Sequence, residues 1–297
     1  MQAYVAKGIT LDNITINNSK GAGLTVNGSS VTANGLNTNL NTWGSVNVDP
    51  GDGVKTASVF TLNRGSLTEN VQIWSDGKYV SGTATVTVNA EGYNKYRTAG
   101  VFIWTNKPLT NAATITKDGI TNLYSSIQAA IDGAATGDTV MVNPGLYEED
   151  ITIDVEGLQL RSVAGADETT IKGATINITS DNVKLEGFTI DNIDGERAIA
   201  PGSSDGTIIQ NNIIINSLRG IQGDYYGRPT NLSIIGNTFE TDHGIAGTEG
   251  MTGLVIEGNT FMTTVEGIGI GVGMMLLDNP PSYVSYLEGM NNFDDLV

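Results

Sequence analysis

The sequence predicts an all-β chain whose larger part, from about Thr121 onward, coils as a right-handed parallel β-helix. Three observations carry this. Four segments align, VKLEGFTI (183–190), TIIQNNII (207–214), LSIIGNTF (232–239) and LVIEGNTF (254–261), and YLEGMNNF (286–293) is a weaker fifth copy. Their last apolar residues, Ile190, Ile214, Phe239, Phe261 and Phe293, are separated by 24, 25, 22 and 32 residues. A second motif keeps the same beat as RAI (197–199), RGI (219–221), HGI (243–245) and EGI (266–268), so that Ile199, Ile221, Ile245 and Ile268 follow at 22, 24 and 23. The third observation is composition. Glycine is abundant, at 38 of 297 residues, against 7 prolines. Gly and Asn both enter the left-handed backbone region that sharp turns between short strands require.

Taken from the N-terminus, Gly8–Ile16 reads as a rung, with Leu11, Asn13 and Ile16 at the spacing of Ile234, Gly236 and Phe239. Gly23, Leu24, Val26 and Val31 continue it, so residues 1–42 are expected to be terminal rungs of a β-helix. Residues 43–115 contain alternating runs, Thr83–Val88 and Gly100–Trp104, between turn residues, which predicts a small β-rich module, either an antiparallel β domain or a β-rich linker. Residues 116–297 begin with a predicted helix near 125–133, suited to cap the first rung. Ser125 and Gln128 fit a capping box. Ile127, Ala130, Ile131 and Ala134 share one face, and Gly133 or Gly137 can end it. Strand-like TVMV (139–142), the turn Asn143-Pro144-Gly145, Tyr147 and Ile151–Ile153 follow.

In each rung apolar and polar residues alternate, the period of a strand with one buried face. Leu232, Ile234 and Phe239 are expected to point inward, Ser233 and Ile235 outward. One rung of three short strands cannot bury its inner face alone, so neighbours must stack, about 4.8 Å apart. Asn212, Asn237 and Asn259 recur in register and predict an amide ladder. A leucine-rich repeat is disfavoured, since its pattern and its helical segments are missing.

The stretch SIQAAIDGAATGDTVMVNPGLYEEDITID (126–154) resembles the N-terminal cap and first rung of the pectin-lyase-like superfamily, and the IIGNTF and IEGNTF rungs resemble its parallel β-helix repeats. The resemblance covers about Thr121–Phe293. It implies the right-handed β-helix, as found in bacterial surface proteins and polysaccharide-active enzymes. It does not imply one activity, because that superfamily includes lyases, hydrolases, esterases, adhesins and structural proteins.

Net charge is −17, from 32 acidic and 15 basic residues, which argues against nucleic acid and anionic membranes as partners. No apolar run is long enough to span a membrane. Cysteine is absent, which excludes disulfides and Cys-based metal sites. The start, MQAYVAKGITLDN, lacks the pattern of a signal peptide. The expectation is an extracellular or cell-surface protein whose signal lies outside this sequence. The order of terminal rungs, β module, cap and further rungs suggests a piece of a tandem array, with head-to-tail self-association as one consequence.

The second motif places Arg197, Arg219, His243 and Glu266 in one column on successive rungs, with Asp242 beside it. The longer loop after Arg219 adds Asp224, Tyr225, Tyr226 and Arg228. Tyr faces suit sugar rings and Arg pairs with uronate carboxylates, so this surface is the candidate site for a polysaccharide or cell-wall glycan. A solvated charge ladder is the plainer reading. Catalysis as a calcium-dependent polysaccharide lyase would use Arg219 or Arg228 as base, Asp224 or Asp242 as calcium ligand. A glycoside hydrolase would need paired carboxylates such as Asp242 and Glu266 at suitable separation. Asp242-His243-Gly244 and Tyr226–Pro229 bear only a faint likeness to superfamily hydrolase and esterase sites. His243 is the single histidine. Asp49 and Asp52 fit a calcium-binding loop or a plain turn. Glu148, Glu149 and Asp150 read as a solvated charge run.

Overall fold

The computed structural model describes residues 1–50, 56–76, 84–98, 100–109, 111–173, 175–223, 227–247, 251–262, 270–271 and 292–293. The chain forms two compact units, Met1–Thr110 with Thr116–Leu123, and Asn111–Ile115 with Tyr124–Val297.

The second unit is a parallel β-solenoid of three sheets. The first holds Thr139–Val142, Gln159–Ser162, Lys184–Glu186, Ile208–Gln210, Ser233–Ile235 and Val255–Glu257. The second holds Gly145–Tyr147, Thr169–Lys172, Thr189–Gly195, Ile213–Ser217, Thr238–Glu240, Thr260–Phe261 and Asn292–Phe293. The third holds Thr152–Ile153, Ile176–Ile178, Ile199–Ala200, Arg219–Gln222, His243–Ala246 and Ile270–Gly271.

Register follows the repeat. In the first sheet Val140, Leu160, Leu185, Ile209, Ile234 and Ile256 lie opposite one another in succession. In the second sheet the order is Ile171, Ile190, Ile214, Phe239, Phe261 and Phe293. Ile176, Ile199, Ile221 and Ile245 form the third stack and are fully buried. Leu232, Ile234 and Phe239 are buried while Ser233 and Ile235 are half-exposed, as the alternation predicts. The next partner of Ile245 is Ile270, not Ile268. The beat of the second motif therefore slips by two residues at its last copy; Glu266 and Ile268 lie outside the described residues.

The predicted amide ladder is present. Asn212 Nδ2 donates to Asn237 Oδ1 and Asn237 Nδ2 to Asn259 Oδ1, each at 3.1 Å. The same oxygens accept from the backbone N–H groups of Asn212 and Asn237, at 3.0 and 2.8 Å. Each amide also reaches a carbonyl of the preceding rung, Leu185, Ile209 or Ile234. The ladder satisfies backbone groups that the turn between first and second sheets would otherwise bury unpaired. Outside it, left-handed turn positions of this unit are taken by amide or glycine. Asn211 has φ 54° and Gly236, its partner on the next rung, φ 64°. A Cβ at Gly236 would lie 2.8 Å from Asn211 Oδ1, so the stacked side chain excludes one there.

The helix (Ile127–Asp132) starts at Ser126, whose Oγ accepts from Ala129 N at 3.0 Å; Ser125 is not the N-cap. Glu149, read from sequence as part of a solvated charge run, accepts from Ile127 N (2.9 Å) and Gln128 N (3.0 Å). A carboxylate there meets N–H groups with no partner inside the helix. Gly133 closes the helix, and Ile127, Ala130 and Ile131 join the core of Val140, Ile151 and Ile153.

The first unit contains a second parallel solenoid. Gln2–Tyr4, Leu24–Asn27, Val46–Val48 and Ile73–Asp76 form one sheet; Ile9–Asn17, Ser30–Asn39, Ser58–Leu67 and Ala84–Val88 form the other. Leu24, Val46 and Ile73 stack, as do Leu11, Ala33, Leu62 and Val88. Parallel pairing thus runs from residue 2 to residue 88, through the boundary expected at 42/43. Antiparallel pairing in this unit joins Val101–Thr105 to Ile73–Asp76 and to Asn94–Thr98. The irregular coil length explains the difference from expectation. From Ile9 the register advances 22 residues to Val31, then 29 to Phe60 and 26 to Val86, which hides the repeat.

Beneath one corner of this solenoid sits a buried carboxylate. Glu69 accepts from Thr38 Oγ1 (2.6 Å), Ser45 Oγ (2.5 Å) and Asn41 Nδ2 (2.6 Å). Burial alone would raise its pKa, but the Ser45, Thr38 and Asn41 hydrogen bonds outweigh it and hold the value below the ordinary 4.5. The folded state therefore favours the ionised form. Its contribution is complete above pH 4.5 and is lost as pH falls through the depressed folded value. Glu69→Gln is expected to flatten this acid limb and to lower stability at neutral pH. Urea denaturation at a series of pH values, followed by a probe in the first unit, checks both.

Candidate functional site

The third sheet of the second unit carries the candidate column. Arg219 lies directly opposite His243 in the ladder, and Arg197 stands one rung earlier, two residues before Ile199. The middle residue of each motif copy explains the arrangement. Ala198, Gly220 and Gly244 are all buried. A Cβ on Gly220 would sit 2.5 Å from Gly244 O and 2.7 Å from Phe239 Cδ1. The chain turns its backbone against the core at this corner, and the flanking Arg219 and His243 remain half-exposed. The signal in RAI, RGI and HGI is thus partly a packing requirement for a small residue.

The column is held by main chain. Arg197 O accepts from Thr175 Oγ1 at 2.8 Å and from Asn192 Nδ2. Arg219 O accepts from Ala198 N and Ser217 Oγ, both at 2.9 Å. The Arg197 guanidinium lies 3.9 Å from its sequence neighbour Glu196, a loose surface pair. No ion pair to Arg219 or Arg228 occurs among the described residues. Arg228 is exposed. His243 Nδ1 is buried with no hydrogen-bond partner among the described residues.

Beside the column runs an open groove of about 530 Å³. Its walls come from the ends of three strands of the second sheet, Ile193 and Gly195, Asn216–Leu218, and Glu240–Asp242. Ile193 and Leu218 are exposed apolar residues, and Asp242 joins the groove to the column. Sequence reasoning found Asp242 and missed Ile193, Leu218 and Glu240. Each follows the inward residue of its rung, Ile190, Ile214 or Phe239, by one to four positions, so the repeat alignment itself marks them. The structure brings together Arg197, Arg219, Asp242 and His243. Asp224, Tyr225, Tyr226 and Glu266 lie outside the described residues.

The candidate metal residue Asp49 is committed to the fold of the first unit. Its Oδ1 accepts from Ser75 Oγ (2.9 Å) and Asp76 N (3.0 Å), and its Oδ2 from Asn47 Nδ2 (2.8 Å). The bonds to Ser75 and Asp76 tie this coil to the next. Asp52 lies outside the described residues, and no group of three or more metal-ligating side chains occurs among those described.

Fold and site define a class: an all-β parallel solenoid with a basic column beside an open groove. No protein family, curated protein or solved structure matches the chain.

Proposed function

We propose that the protein is an extracellular, cell-surface β-helix with a structural or glycan-adhesive role. In this reading it is a right-handed coil of the pectin-lyase-like kind, the hand that nearly all parallel crossovers take. The helix at Ile127–Asp132 then acts as the cap of the first rung. Head-to-tail association of copies would build an array or filament.

The observation that carries the adhesive role is the in-register pair Arg219 and His243, with Arg197 one rung away. Basic side chains follow at about the spacing of stacked strands, roughly 4.8 Å, along an open face. Such a row contacts consecutive units of an anionic polysaccharide, each arginine pairing with a carboxylate. One basic group per rung distributes contact along a polymer rather than converging on a single bond.

The test is binding of polygalacturonate and alginate to the intact protein, with and without calcium. Saturable binding is expected, weakened by salt and reduced at least about tenfold in Arg197→Ala/Arg219→Ala, a loss of two charge-assisted contacts. The alternative is a calcium-dependent polysaccharide lyase. Growth of the absorbance of an unsaturated uronate product, abolished by Arg219→Ala, would establish the lyase and overturn the non-catalytic reading.

A further inference from the structure

The first unit carries a separate groove of about 320 Å³, at the lower end of the range that ligand pockets occupy, roughly 300–1,000 Å³. It lies over the Glu69 corner, between the turn at Asn39–Gly44 and the turn at Thr68–Val71. Three large apolar side chains converge on it although none is buried: Leu40 is 69% exposed, Trp43 68% and Val71 37%. These are three of the eleven exposed large hydrophobics of the described residues, so the clustering is local.

Leu40 is the informative one. Its φ is 57°, the left-handed region, in which a leucine is strained. Asparagine or glycine fills most comparable turns, Asn182 and Gly206 for example, with Val5 (φ 48°) and Asp118 (φ 50°) as the other exceptions, and of these Leu40 alone lines the groove. Neither backbone preference nor burial selects leucine here. A strained residue held on the surface points to use by a ligand.

The turn is rigid. Thr42 N and Trp43 N donate to Ser19 O (2.9 Å) and Gly21 O (3.2 Å). Asn41 is fixed through Ser19 N, Ile16 O and the Glu69 carboxylate. The indole of Trp43 lies over Gly21, where a Cβ would come 3.7 Å from Cε3. Trp43 is therefore a preset platform, which lowers the ordering cost of binding. Around it stand the exposed amides of Asn39 and Asn70 and the hydroxyls of Thr42 and Thr68, the last donating to Thr38 O (2.8 Å) and Asn39 Oδ1 (3.0 Å) and left to accept. Glu69 is the only charged residue lining the groove, and its oxygens are engaged by Thr38, Asn41 and Ser45.

We infer that this groove binds a neutral glycan. A pyranose ring has an apolar C–H face and a rim of hydroxyls. The face lies on the indole and against Leu40 and Val71; the rim meets amides and hydroxyls that both donate and accept. Lys107 Nζ donates to Thr68 O at the rim (2.5 Å) and the lining itself carries no cation, while a wholly apolar ligand would strand the polar rim. The inference is independent of the Arg219 column, which lies in the other unit and calls for an anionic chain.

The experiment probes the intact protein on an array of neutral oligosaccharides (glucans, xylans, mannans and galactans), followed by calorimetric titration of the strongest binder. Saturable binding is expected. Trp43→Ala should weaken it at least about tenfold, as loss of an aromatic platform implies, with an unchanged unfolding midpoint because Trp43 is exposed. Trp43→Tyr should recover part of it, and Arg219→Ala should leave it unchanged. Leu40→Gly should weaken binding while keeping or raising the unfolding midpoint, since glycine relieves the strained φ. No binding across the array, or binding that Trp43→Ala leaves intact, overturns the inference. So does concentration-dependent self-association lost in Trp43→Ala, which would make a second copy the occupant.

Discussion

Replacing Asn237 with alanine is expected to destabilise the second unit by roughly 2–5 kcal/mol, because two or more buried polar groups lose their partners at about 1–3 kcal/mol each. Asn237 is 1% exposed. Its oxygen accepts from Asn212 N and Nδ2, and its amide nitrogen reaches Ile209 O (2.9 Å) and Asn259 Oδ1 (3.1 Å). Alanine removes all four bonds, and no water can easily replace them in a closed turn. The first unit supplies the control. There Asn34, Asn63 and Asn89 form a similar ladder, running from Asp12, but on the exposed surface. Asn63→Ala should cost under about 0.5 kcal/mol, as surface changes do. Urea denaturation of the two variants measures the contrast. Equal costs would mean that burial of the amides is not what gives the inner ladder its weight.

The second large effect is at Phe239. This side chain is fully buried and stacks on Phe261, with ring centroids 4.9 Å apart and planes 4° from parallel. It also fills the corner against Gly220. Phe239→Ala removes the largest inward side chain of its coil and should cost about 3–5 kcal/mol. In a stack, each rung is stabilised mainly by its neighbours. The loss should therefore spread to Ile213–Ser217 and Thr260–Phe261, seen as faster amide exchange there, while Thr139–Val142 changes little. A uniform loss of protection throughout the second unit would indicate a single cooperative core instead.

The parts of the structure that were legible in the sequence are those repeated at near-constant spacing. Ile214 and Phe239, or Ile221 and Ile245, could be aligned because 24 or 25 residues make each coil and the inward position recurs. The Asn212–Asn237–Asn259 ladder was legible for the same reason. In the first unit the coil length varies, and its long strands carry many polar outward residues. Val31, Phe60 and Val86 stack without any repeat to announce it, and Thr83–Val88 was read as part of an antiparallel domain or a linker. The Ser125 cap was off by one residue, since Ser125 and Ser126 are equivalent to a pattern and only backbone geometry separates them.

The candidate site was half legible. Arg219 and His243 were aligned by the motif, whereas the next described partner of Ile245 is Ile270 and Glu266 lies outside the described residues. Asp49 was read as a calcium ligand or turn residue. Its bonds to Ser75 and Asp76 join residues far apart in sequence, and no local pattern reveals them. The groove around Trp43 was missed for that reason too. Its two turns are brought together only by the stacking of coils whose lengths differ.

In-register parallel stacking of the coils can be tested directly by cross-linking, because the sequence contains no cysteine. Ser233 and Val255 face each other on adjacent strands of the first sheet, with side chains away from the core. A Ser233→Cys/Val255→Cys variant should form a disulfide readily, since adjacent strands bring Cα atoms to about 5 Å, within the range a disulfide spans. Ser233→Cys/Glu257→Cys, two residues out of register, should stay reduced under the same mild oxidation. Efficient closure of the second pair with failure of the first would contradict the stacking.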